Sequence, residues 1–150
     1  MRKCNVSMQR FSLMLVLVFV TFVSLLAFGQ AKDDAKPSIT ISSVPTDPPG
    51  ESMASDPIKG AASGVDPKEL KVVIYARGGD KWWVQPTAAS PLTDIGDDGQ
   101  WESETHGGTE FAALLVKSSY KPEATLGLIP KVGGDILDVA KKKPEKKSDN

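Results

Sequence analysis

Apolar and polar residues alternate in short runs along most of this chain, and clusters of Gly, Pro, Ser and Asp separate the runs. Ser38 to Val44 places Ile39 and Ile41 between polar residues, which predicts a strand. Pro45 to Asp56 is a loop by composition. Ile58 to Val65 reads as a weak, Gly/Ala-rich strand closed by Asp66-Pro67. Leu70 to Ala76 is the clearest strand. Gly78-Gly79-Asp80 reverses it into Lys81 to Gln85, with Pro86 ending or edging that run. Pro91 to Ile95 is a short extended piece, and Asp97-Asp98-Gly99 predicts a hairpin turn. Gln100 to Thr105 puts Trp101 and Ser103 on one face and Glu102 and Glu104 on the other. His106-Gly107-Gly108 turns into a second strong strand, Glu110 to Lys117. Ser118 to Gly134 is irregular. Ile136 to Ala140 fits both helical and strand spacing, and a final strand is the reading adopted. Seven or eight strands with no amphipathic helix predict an all-β chain folded as a small antiparallel β-sandwich.

The first 31 residues break this pattern. Arg2, Lys3 and Arg10 precede an uncharged apolar run, Phe11 to Gly29, with small residues at Ala27, Gly29 and Ala31. That order predicts a secretory signal peptide cleaved after Gly29 or Ala31. The alternative is an uncleaved anchor over residues 11–29, long enough to span a bilayer. Either reading makes the chain exported: secreted, periplasmic or membrane-anchored. The organisation expected is 1–31 signal, 32–37 linker, 38–140 sandwich domain and 141–150 a Lys-rich disordered tail.

The one cysteine, Cys4, lies before the apolar run, so the exported part has no disulfide and no thiol chemistry. Residues 32–140 hold 10 basic against 17 acidic side chains, a net charge of −7. Such a body argues against nucleic acid, whose phosphates need a basic face. The tail from Lys141 carries five lysines against two acids, suited to anionic polymers or headgroups and equally to solubility.

Several short motifs occur in order: Ile39-x-Ile41-x-x-Val44-Pro45, Gly64-Val65-x-Pro67, Val73-x-Tyr75, Trp82-Trp83-x-x-Pro86, Pro91-Leu92-Thr93-x-Ile95, Asp98-Gly99-x-Trp101, Ala113-x-Leu115 and Tyr120-x-Pro122. With them the chain resembles a small β-sandwich module that recurs in secreted bacterial proteins, often beside carbohydrate-active enzymes. The resemblance implies an immunoglobulin-like fold and, by association, contact with a glycan. It brings no catalytic residue.

Adjacent strand residues point to opposite faces, so a regular strand buries one of Trp82 and Trp83 and turns the other outward. An outward indole offers a flat apolar plate with a polar edge, which suits a sugar ring. The alternative covers both, one by the core and one by the Pro86–Pro91 loop. Lys81 and Gln85 are the nearby polar groups that would hydrogen-bond a ligand. Trp101 is expected in the core. Tyr75 and Tyr120 are expected at its edge. His106, the sole histidine, reads as a loop residue without a special role, since metal sites need several converging ligands. Glu102 and Glu104, about 7 Å apart by strand rise, read as solvated acids rather than a hydrolytic pair. Asp94, Asp97 and Asp98 read as turn formers rather than calcium ligands. No cofactor, metal site or catalytic set is predicted. These features together predict a non-enzymatic extracellular binding module whose partner is a polysaccharide or another envelope component. The alternative is a structural or protein-interaction domain of the cell envelope.

Overall fold

The computed structural model describes residues 36–46 and 54–145. The signal segment, residues 32–35 of the linker, the centre of the Pro45–Asp56 loop and the end of the Lys-rich tail lie outside the described residues. Nine strands follow in chain order: β1 (Ser38–Ser43), β2 (Asp56–Ser63), β3 (Leu70–Gly78), β4 (Lys81–Gln85), β5 (Leu92–Thr93), β6 (Gln100–Thr105), β7 (Phe111–Lys117), β8 (Thr125–Leu126) and β9 (Ile136–Lys142). The described residues contain no helix. Seven strands have five residues or more, and β5 and β8 are two-residue additions.

The strands form two antiparallel sheets. The smaller has the order β1-β2-β6; the larger runs β8-β4-β3-β7-β9, with β5 beside β3. Only β1–β2 and β3–β4 are pairs of consecutive strands joined by a reversal, and the later connections cross between strands or sheets. This is the order of an antiparallel β-sandwich with crossover connections. The β3–β4 reversal is tight because Gly79 takes φ +66° at the first of two turn positions, where a side chain is strained.

The turn at Asp97-Asp98-Gly99 is real but is not a hairpin. Gly96 N–H donates to the Gln100 carbonyl (2.8 Å), Gly99 N–H to the Gly96 carbonyl (2.9 Å) and Gln100 N–H to Asp98 Oδ1 (2.9 Å). Yet β5 pairs with β3 in the large sheet, while β6 pairs with β2 in the small one. Local turn chemistry sets the reversal; which strands pair afterwards is decided by where their apolar faces are buried.

Two apolar layers result. Between the sheets lie Ile39, Ile58, Ala62, Leu70, Val72, Ile74, Ala76, Ile95, Trp101, Phe111, Ala113 and Leu115. On the opposite face of the large sheet lie Val73, Tyr75, Trp82, Val84, Ala112, Leu114, Val116 and Ile136, with Leu126, Tyr120 and Ile129 packed over them. The Ser118–Gly134 segment, irregular by composition, is therefore a cover. It is held by β8 pairing with β4, by the Tyr75 hydroxyl donating to the Glu123 carbonyl (2.9 Å) and by Val84 N–H donating to the Ala124 carbonyl (3.0 Å). Both faces of the large sheet are dry, so β3 and β7 are nearly continuous apolar runs rather than alternating ones. The last strand extends to Lys142, two residues into what composition marks as tail.

Candidate functional site

The small sheet leaves part of the large sheet's inner face uncovered. The register pairs Ala76 with Trp83, Ile74 with Gln85 and Gly78 with Lys81, so Lys81, Trp83 and Gln85 all face the side on which the small sheet packs. Ala76 is 4% exposed beneath that sheet, whereas Trp83 one strand further out is 49% exposed. Here β4 overhangs the edge of the sandwich.

The neighbouring Trp82 points the other way and is 4% exposed in the second apolar layer. Its ring carries Arg77 at 5.8 Å and Lys141 at 5.4 Å from the centroid. The alternation expected of the Trp pair is thus resolved: Trp82 is core, and Trp83 is the outward indole. The Pro86–Pro91 loop does not cover it.

Gly78 lies against Trp83, while Gly108 and His106 lie over its strand neighbours Ala76 and Gln85. A Cβ on Gly78 would sit 3.6 Å from Trp83 Cδ1 and Nε1, so the pyrrole edge of the indole rests over Gly78 and leans toward its cross-strand partner Lys81. A Cβ on Gly108 would lie 3.3 Å from the Ala76 Cβ, so the chain leaving β6 passes close over β3. His106 begins that passage. Its backbone N–H donates to Gln85 Oε1 (3.0 Å), and its Nδ1 lies 3.1 Å from the same oxygen.

Gln85 differs from its expected role. It is 5% exposed, its Oε1 is committed to His106 and its Nε2 donates to the Trp83 carbonyl (3.2 Å). It positions the platform strand and the imidazole rather than standing free. The reason is that β6 ends directly above it. Lys81 is exposed. His106, read from the sequence as idle, lies 21 positions from Gln85 along the chain. No local pattern announces that contact.

The other candidates fall elsewhere. Trp101 is 2% exposed in the core between the sheets. Glu102 forms an exposed ion pair with Lys59 (2.9 Å), and Glu104 accepts from the Ser55 hydroxyl (2.7 Å), both on the solvent face of the small sheet. Asp94 pairs with Lys71, and Asp98 caps its own turn. Burial, with Tyr120 and Glu123 nearby, pushes the Tyr75 hydroxyl well above the ordinary tyrosine range. Tyr120 is raised by burial and by Glu123 and Asp135.

The site therefore offers one solvent-facing indole, an ammonium beside it and an imidazole held by a buried amide. This set can stack on an apolar ring face and hydrogen-bond the groups around its rim. No family model, curated protein or solved structure matches this chain.

Proposed function

We propose that this domain is a non-enzymatic binding module of an exported protein, and that its ligand is a glycan stacked on Trp83. The observation carrying the reading is that Trp83 is half exposed on the uncovered part of β4, while Trp82 and Trp101 are buried. An indole left half exposed gives up roughly half of the burial open to a large apolar side chain, on the order of 1 kcal/mol. A stacked ring recovers that burial. Lys81 and His106 supply the polar rim. The likeness to modules found beside carbohydrate-active enzymes supports the same ligand class.

The test is a titration of the full chain against a glycan array, read by tryptophan quenching. Saturable quenching by one sugar class is expected. Trp83→Ala should weaken it at least about tenfold, equivalent to ~1.4 kcal/mol. A folded chain that binds nothing on the array would favour the other reading, a structural or protein-interaction domain of the envelope.

A further inference from the structure

We propose that the glycan taken by this face is anionic, bearing carboxylate or sulfate groups, and that Lys81 meets that charge beside the Trp83 plate. This rests on the glycan reading and goes beyond it in naming the substrate class.

Three observations carry it. Lys81 and Trp83 share one face of β4, about 7 Å apart by strand rise. The indole edge rests on Gly78, the cross-strand partner of Lys81, so the plate lies beside the point where the Lys81 side chain leaves the strand. Next, Lys81 is exposed and uncommitted: the ion pairs among the described residues engage Lys59, Lys71, Arg77 and Lys117. Finally, the strand residues of β3 and β4 on this face include no carboxylate, and the nearest acid along the chain is Asp80 in the turn before Lys81. Glu110, the acid opening the next strand, is drawn to Arg77 (3.5 Å).

The setting makes the cation informative. Residues 32–140 carry 10 basic against 17 acidic groups, so the domain as a whole repels polyanions. A neutral sugar gains only a hydrogen bond to an uncharged acceptor from an ammonium here. A charged one needs it.

The experiment titrates the full chain with two matched pairs: oligogalacturonate against its methyl ester, and dextran sulfate against dextran. Each pair shares a backbone and differs in charge. Tryptophan fluorescence is followed at low and high salt. The charged member of at least one pair should bind, more weakly as salt rises. Lys81→Gln should weaken that binding about fivefold, the scale of an exposed ion pair, and Lys81→Arg should restore it. Binding confined to the galacturonate assigns a carboxylate, and binding confined to the sulfate assigns a sulfate ester. Neutral members binding as tightly as charged ones, or indifference to Lys81→Gln, overturns the charge while leaving the glycan reading intact. Failure of all four probes with a folded chain overturns the inference, and the wider array decides the glycan reading separately.

Discussion

The indole of Trp101 occupies the space that Gly60 leaves empty. The two are cross-strand partners on β2 and β6, and a Cβ on Gly60 would run into Cζ2 and Cε2 of the ring and into the Thr40 carbonyl. Trp101 is 2% exposed and surrounded by the inner core, so the ring has no free space to retreat into. Gly60→Ala is therefore expected to destabilise the domain by about 1–3 kcal/mol, the usual cost of overpacking. Denaturant unfolding should show a lower midpoint with an unchanged slope. An unchanged midpoint would mean that the ring moves aside freely.

The open edge of β1 is closed by side chains from β9. Asp138 Oδ2 accepts from the Ile39 N–H at 2.9 Å, and Lys142 Nζ donates to the Ser42 carbonyl at 2.6 Å. Unpaired strand edges invite pairing with another chain, and inward-pointing charges are one way to block it. Asp138→Ala removes a charged acceptor from a part-buried donor. The expected loss is about 1.5–3 kcal/mol. It should come with concentration-dependent association in sedimentation. A variant that is both stable and monomeric would show that the edge needs no such guard.

How much of this was legible in the sequence varies with the range of the interaction. Strands β4 and β6 match their expected bounds, because alternation and turn residues are local signals. The opposite faces of Trp82 and Trp83 follow from the same period of two. What alternation does not encode is which sheet a strand joins. That is why Asp97-Asp98-Gly99 reads as a hairpin yet links strands of different sheets. The unbroken run Phe111–Val116 was the available hint that the large sheet is covered twice, but nothing in it identifies the irregular segment after Lys117 as the cover. At the candidate site, parity required one indole of the pair to face outward without saying which, and only the strand register picks out Trp83. The Gln85–His106 contact was not legible, since it depends on β6 ending above β4.

Alkaline pH should loosen the cover over the second layer. Tyr75 and Tyr120 both have hydroxyls raised above the ordinary value of 10.0, first by burial. A tyrosine whose folded pKa exceeds its unfolded one holds its proton more tightly in the folded state. That contribution is fully present below the unfolded value of 10.0 and is lost as pH rises beyond it. Tyrosinate absorbance should thus not develop in the usual range while the domain is folded. It should appear together with unfolding. Tyr75→Phe should flatten the pH dependence and, by removing the bond to the Glu123 carbonyl, cost about 1 kcal/mol at neutral pH. Normal titration of both hydroxyls in the folded chain would contradict this.

The last expectation separates a platform from a misplaced core residue. Three tryptophans lie in the described residues, with Trp82 at 4%, Trp101 at 2% and Trp83 at 49% exposure. A neutral collisional quencher should therefore reach one class of indole, and Trp83→Phe should abolish it. A half-exposed ring outside both apolar clusters supports less of the fold than a core ring does, so Trp83→Ala should cost only about 1 kcal/mol. Trp82→Ala removes a ring that fills the second layer, and about 3–5 kcal/mol is expected there. The contrast between adjacent residues is the decisive feature. If Trp83→Ala proved as costly as Trp82→Ala, the indole would be holding β4 in place, and its exposure would need no ligand to explain it.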